Sequence, residues 1–438
     1  MAGDGPADVD VLQATEPGVP PSSRTPALTL TTLIVLCGTV SSAIFHYVMA
    51  AYLHHRYPYS TFLFNPSDRF MDFFNVYRHA QEFRPGVSGN MVYSPLLHAV
   101  MTMATLLPAW VAFAMLVIAF MVAIVTVLWQ WTTVGLAADP LLRSLHVAVL
   151  ALLSYPVLFA LDRGNLEMLV FTMLAAFFWL HYVRRSPWAW LPLGLAIAAK
   201  YYWVTLLVLL LLDRQWRQAT WCMVTAVAST VVSALAISVV SGYSVSHVFG
   251  NLYSTLGGHV DSTGSLAIAS YSHSMWSWVI CATRWSDFAF HWLPSHTLYL
   301  LAAAVVFLVV LRRLMRRDLD DWQKATALVV CTLLLPFESK DYTSIQLLLP
   351  FTMFAALPLA GRRAWIIAVL FALPLIPLDY WYLTFFFWHS WVSVASLIYP
   401  VVLVALLVVS LRRLPDGVMR DTSGEAVHAN RPPWIGAS

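Results

Sequence analysis

The chain has 438 residues, of which 60% are hydrophobic and only 11% charged, and its mean hydropathy is +0.71. A soluble domain carries roughly 25% charged residues, so this sequence cannot cover a water-facing surface and is that of a polytopic membrane protein. The net charge of +3 is too small to argue for a nucleic-acid partner.

Residues 1–27 are rich in Pro, Asp and Ser and lack the basic-then-apolar layout of a secretory signal, so they read as a disordered cytoplasmic tail. A spanning helix needs about 20 apolar residues, and 28–53 supply the first. A polar, aromatic stretch over 54–95 follows and holds Asp68, Asp72 and Glu82. Residues 96–108 are too short to span and read as a half-helix at the outer face. Residues 51–108 are thus expected to form a first extracytoplasmic loop with short helices.

Next come spans over 109–133, 145–161 and 166–183, the last two separated by Asp162-Arg163-Gly164-Asn165. Residues 188–212 lie between two basic turns, and both ends require the same side. That stretch is therefore expected to be two short helices folded back around Lys200. A span over 219–240 precedes a second large extracytoplasmic loop, 241–291, with one re-entrant helix near 265–281. Spans over 292–311, 325–337, 342–360, 364–378 and 391–411 complete a single transmembrane domain over 28–411, and 412–438 read as a second disordered tail. The fold class is all-α, with about twelve transmembrane helices. Cys37, Cys222, Cys281 and Cys331 sit in apolar runs and read as small buried hydrophobes.

With both termini in the cytoplasm, 17 of the 25 basic residues fall on the inner side, as positive-inside bias requires. The same arrangement gathers Asp68 and Asp72, the Asp162–Asn165 break, Lys200, the 241–291 stretch and Glu338-Ser339-Lys340-Asp341 at the outer face. Ionisable residues at membrane depth are costly and usually face a cavity, so these clusters suggest one shared, outward-facing polar site.

Within it, Asp68 sits where a helix cap belongs, after Asn65-Pro66-Ser67. Asp72 lies one turn further on among Phe70, Met71, Phe73 and Phe74. It is either the partner of Arg69 or Arg78, or a general base that takes a proton from an attacking hydroxyl. Glu82 reads as a surface partner of Arg78. Arg163 and Asn165 belong either to an ordinary turn or to a site for an anionic or hydroxyl-rich ligand at the start of the next helix. Lys200 either snorkels to the interface or neutralises a lipid phosphate. The late Glu338–Tyr342 motif is either a loop with internal ion pairs or part of the site. His247, His259 and His273 match no metal-ligand spacing. A Gly-rich phosphate loop, G-x-S-x-G and H-E-x-x-H are all missing from the sequence.

Three motifs in order resemble glycosyltransferase family 87, integral membrane enzymes of the GT-C superfamily. The first is Asp72-Phe-Phe-Asn-Val-Tyr77, then Tyr93-Ser94-Pro95 and Leu106-Leu107-Pro108. The second is the stretch from Trp190 to Lys200 followed by an apolar helix and the basic turn Asp213-Arg214-Gln215-Trp216-Arg217. The third covers 339–350. The chain has Tyr-Ser-Pro where the family has Tyr-Pro-Pro, and its late motif lacks a His. The resemblance spans roughly residues 30–360. It implies a GT-C-like fold with a catalytic first extracytoplasmic loop in a bacterial plasma membrane. It also implies a sugar donor on a polyprenyl phosphate, often mannose, an inverting attack by a lipid or glycan acceptor hydroxyl at the extracytoplasmic face, and no metal or other cofactor. Carried onto this chain, Asp72 is the base. Lys200, Arg163, Asn165 and Lys340 are expected to meet the donor phosphate, and Asp68, Tyr77, Tyr93, Asp341 and Tyr342 the substrates. The runner-up from another class is a transporter or flippase for a lipid-linked or anionic solute. A non-catalytic membrane scaffold would leave Asp72 and Lys200 without a role.

Overall fold

The computed structural model describes residues 26–57, 59–81, 93–135, 140–262, 272–285, 296–316, 319–357, 361–378, 382–383 and 392–413. Residues 1–25 and 414–438 of the two expected tails, Glu82, and residues 263–271 and 286–291 of the expected second loop lie outside the described residues.

The first helix, α1 (Pro26–Ala51), is one uninterrupted apolar segment. A 3-10 turn, Pro66–Asp68, opens where Asn65 accepts from the Ser67 N–H and leads to α2 (Met71–Gln81). Ser94 caps α3 (Pro95–Ala104), with Pro95 in the first turn where its missing N–H costs nothing. Past Pro108 runs α4 (Ala109–Gly135). Helices α5 (Pro140–Leu153) and α6 (Tyr155–Arg163) meet at a 46° bend, where Pro156 lacks the N–H that would continue the ladder. Gly164 ends α6 in the left-handed region. Then α7 (Glu167–Phe178) runs on into a π-helical turn, Trp179–Val183.

The chain continues with α8 (Trp190–Ala199), a 3-10 helix Tyr201–Leu206, and α9 (Leu207–Leu212). The long α10 (Trp216–Ser241) is closed by Gly242 in the left-handed cap. Residues 241–291, expected as a loop, carry α11 (Val245–Ser262) and α12 (Met275–Trp285). Beyond them lie α13 (His296–Leu314), α14 (Asp321–Leu334), a 3-10 helix Asp341–Leu347, α15 (Leu348–Ala355), α16 (Arg362–Ala372) and α17 (Val394–Ser410). Between the last two, Tyr382–Leu383 and Val392–Ser393 form a two-residue antiparallel ladder.

Among the described residues four helices are long and apolar enough to cross a membrane: α1, α4, α10 and α13, with the bent α5–α6 pair making a fifth. A third or less of each of the four most apolar windows is buried inside the protein, and Leu106 and Val239 are each 83% exposed. Apolar surface on that scale has no place in water, and its hydrogen bonds are closed within each helix as lipid demands. The chain is a helical membrane protein.

Helix α7 serves as a ruler through the bundle. Lys200 pairs with Glu167 at its start and His181 pairs with Asp213 past its end; 14 residues of helix separate Glu167 from His181, or about 21 Å. The chain therefore climbs from Ser186 to Lys200 along α8 and returns from Lys200 to Asp213, a fold-back at Lys200 as the two flanking basic turns require. Asp213 and Asp321 both lie near Tyr182. Gln323, at the start of α14, donates to the Ser410 and Arg412 carbonyls, and Arg313 donates to the Leu411 carbonyl. Four turns bearing basic residues thus gather at one end of the bundle.

From that end α14 runs inward with every residue from Ala325 to Leu334 buried. A helix apolar on all sides belongs in the middle, and α14 packs against α15, α17 and the 201–206 turn. The segment after it brings Gln346 to Glu167, at the opposite end from the basic turns.

Candidate active site

Each polar side chain at this end stands where a helix is interrupted. Phe70, just before α2, adopts φ 56°, a costly conformation for a non-glycine residue. It is held by its N–H to the Asp162 carbonyl at 2.7 Å and by ring contacts with Trp110 and Phe113. That kink aims the first turn of α2, with Asp72, at the α6–α7 junction. On the junction side Gly164 has φ 63°, and a Cβ there would lie 3.1 Å from Phe73 Cβ and 3.2 Å from the Phe70 backbone. Only glycine allows both the turn and the close approach.

The junction then presents two donors to one carboxylate. Arg163 Nη2 donates to Asp72 Oδ1, and Asn165 Nδ2 donates to Asp72 Oδ2 at 2.6 Å. The Arg163 guanidinium also lies over the Phe64 ring at 3.9 Å. Asp162 stands beside this cluster, where its charge is felt by Arg163 and Arg69, and its Oδ2 accepts from the Phe64 N–H at 3.1 Å and steadies the loop.

A second pair adjoins the first. Asn165 Oδ1 accepts from the Glu167 N–H at 2.8 Å, so one amide links the Asp72 carboxylate to the Glu167 backbone. Glu167 Oε2 accepts from Lys200 Nζ at 2.6 Å and from the Tyr202 hydroxyl at 3.2 Å, while Oε1 accepts from Gln346 Nε2 at 2.9 Å. Lys200 Nζ stands 6.0 Å from the Tyr93 and Tyr202 ring centres and 5.6 Å from that of Tyr342, within reach of a cation–π attraction. Tyr342 in turn stacks on Phe159.

Exposure separates the members. The side chains of Asp72, Arg163 and Lys200 are 15%, 14% and 14% exposed, whereas Glu167 is at 0%. Three charged groups edge onto open space and the fourth is sealed behind them. Burial pushes the Tyr93 hydroxyl above its ordinary value; Asp72 and Glu167 push it the same way, and Arg163 and Asn165 pull against them. Tyr93 is therefore a neutral hydroxyl facing both carboxylates.

Of the residues singled out from sequence, the structure brings together Asp72, Arg163, Asn165, Lys200, Tyr93 and Tyr342. Asp72 pairs with Arg163 and not with Arg69 or Arg78. The remaining four stand elsewhere. Asp68 is half-buried in its 3-10 turn. Tyr77 is buried and donates to the Leu107 carbonyl at 2.6 Å, tying α2 to the α3–α4 turn. Lys340 pairs with Glu338, and Asp341 is buried against His273.

Sequence reasoning passed over Glu167, Tyr202 and Gln346. Glu167 opens an apolar helix, where an acid reads as a dipole partner. Gln346 follows Tyr342 by four residues, within the 339–350 stretch already singled out, where Thr343 and Ser344 make one more polar residue ordinary. A buried polar group in a lipid-spanning run is the signal that could have found both.

Residues 91–293, a little under half of the chain, match the family model for glycosyltransferase family 87. The matched stretch includes Tyr93, Arg163, Asn165, Glu167 and Lys200 and begins after Asp72. No curated protein and no solved structure matches the chain. Over that stretch the chain is similar to glycosyltransferase family 87, which indicates a membrane glycosyltransferase.

Proposed function

We propose that this enzyme moves a sugar, with mannose favoured, from a polyprenyl-phosphate donor to a hydroxyl of a lipid or glycan acceptor. The acceptor oxygen forms a bond to the anomeric carbon as the bond from that carbon to the phosphate oxygen breaks, with inversion. The proton passes to Asp72, and the electron pair leaves on the polyprenyl phosphate.

The observation that carries this reading is a carboxylate and two cations standing together, each partly exposed, at one end of the bundle. Each Asp72 oxygen accepts one hydrogen bond, which leaves acceptor capacity for an incoming hydroxyl, and Arg163 with Asn165 holds the carboxylate in one orientation. General-base catalysis needs that reach. Arg163 Nη1 is buried and has no partner among the described residues, and Lys200 is the neighbouring cation. Together they supply the positive charge that a leaving phosphate needs. Tyr93 and Tyr342 offer ring faces and hydroxyls to the sugar. The exposed Trp110 with Phe70 and Phe74 forms an apolar wall beside Asp72 for an isoprenoid chain.

The end bearing Arg184, Arg185, Arg312, Arg313, Arg412 and Arg413 is then cytoplasmic by the positive-inside rule, and Asp72 faces the extracytoplasmic side of a bacterial plasma membrane. In this reading the shorter helices pair into a GT-C-like bundle of about twelve crossings. The late motif contributes through Tyr342.

The test is transfer of radiolabel from polyprenyl-phosphate sugars in reconstituted membranes. Wild type transfers label and Asp72→Asn does not, while both reach the membrane in equal amount. Full transfer by Asp72→Asn sinks the assignment. Counterflow of solute in vesicles without covalent transfer would favour a transporter.

A further inference from the structure

Glu167 takes no part in the transfer step above, yet it is the most completely coordinated acid in the cluster. We propose that Glu167 is a positioning residue: it holds the Lys200 ammonium at the open side of the cluster, and Gln346 fixes that setting to the C-terminal half of the bundle. This rests on the reading of Lys200 as a ligand of the donor phosphate.

A carboxylate sealed from solvent costs several kcal/mol unless paired and hydrogen-bonded. Glu167 meets the cost in full. Lys200 and Tyr202 donate to one oxygen and Gln346 to the other. Its own N–H is bound by Asn165, and it sits at the start of α7, where the helix dipole favours negative charge. The three side-chain donors come from the α8 break and from two 3-10 helices, 201–206 and 341–347. Runs of 3-10 structure longer than three or four residues are uncommon, and these two flank one acid.

The polarity of the pair is what points to function. The acid is wholly buried and the cation is partly exposed, so the charge that this pair offers to a ligand is positive. An ammonium has three donors; one is held by Glu167, and the others remain for a ligand. The groups that face Lys200 are Glu167, Tyr93, Tyr202 and Tyr342, with Asp72 and Arg163 beyond Asn165. Glu167 is the acid in contact with it. Without that acid, the ammonium would have no carboxylate in contact with it.

The experiment uses the full chain in lipid nanodiscs and measures binding of undecaprenyl phosphate from neutral to strongly alkaline pH. No acceptor is needed. Glu167→Gln is expected to weaken binding about tenfold at neutral pH and to move the alkaline loss of binding down by about one pH unit or more. Glu167→Asp should recover part of both. Gln346→Leu, which leaves the ion pair in place, should shift both in the same direction by less and covers the case in which Glu167→Gln does not fold. Lys200→Ala is the control for the underlying reading: binding unchanged in that variant removes Lys200 from the phosphate site. If Lys200→Ala weakens binding while Glu167→Gln changes neither affinity nor the alkaline limb, the role proposed for Glu167 is overturned and the phosphate reading stands. If Glu167→Gln does not fold, an unchanged Gln346→Leu overturns it as well.

Discussion

Lys200 Nζ stands 2.6 Å from Glu167 Oε2, and that contact joins the break after α8 to the first residue of α7. Asn165 carries the connection onward, accepting from the Glu167 N–H and donating to Asp72. Two ion pairs are thus coupled through one amide, and each member stands at a helix end or break.

Asn165→Ala should therefore disturb both pairs at once. It removes a donor from Asp72 and leaves the Glu167 N–H without its acceptor, a cost of about 1–3 kcal/mol. We expect sugar transfer to fall by one to two orders of magnitude, about 10–100-fold, with the detergent-solubilised protein still folded. Kinetics and thermal unfolding on one preparation check both.

Arg163 distinguishes charge from shape. Arg163→Lys keeps a cation near Asp72 but loses the planar fork and its stacking over Phe64, so it should fold and transfer slowly. Arg163→Ala leaves Asp72 without its charge partner and should be the less stable of the two. Transfer rates and melting temperatures of the two variants, compared side by side, test the order.

Gly164→Ala should cost about 1–3 kcal/mol of stability. The residue is held at φ 63° and its new Cβ would press on Phe73 and the Phe70 backbone. Because Arg163 and Asn165 flank it, transfer should fall too. A variant that melts and reacts like wild type would show that the junction tolerates a side chain there.

Tyr77→Phe separates a tether from the chemistry. The hydroxyl lost is the one bonded to the Leu107 carbonyl, worth about 1 kcal/mol, while the ring keeps its stacking on Phe73. The melting temperature should drop modestly and the transfer rate should stay at the wild-type level in the standard assay.

Tyr93 makes a prediction about alkaline pH. Burial and two neighbouring carboxylates raise its hydroxyl above the ordinary value. A raised folded-state value stabilises the fold fully below the unfolded tyrosine range, about pH 10, and that stability is lost as pH rises beyond it. Tyr93→Phe should therefore lose less stability than wild type in the strongly alkaline range. Parallel alkaline unfolding curves would contradict this.

Residue order alone was enough for the lipid setting, because hydropathy is a local property: α1, α4, α10 and α13 lie where apolar runs exceed the membrane thickness. It was also enough for the fold-back at Lys200, since two basic turns separated by one apolar run require the same side. Asp72, Arg163, Asn165 and Lys200 stood out individually as ionisable or polar groups in apolar surroundings.

Which of them touch was decided only in three dimensions. Asp72 is paired with a residue 91 positions away in place of Arg69 or Arg78, because Phe70 and Gly164 set α2 against the α6–α7 junction. Glu167 and Gln346, 179 positions apart, meet because α14 returns the chain to the site end of the bundle. Partner choice among charges depends on desolvation and distance, and both are properties of the packed bundle.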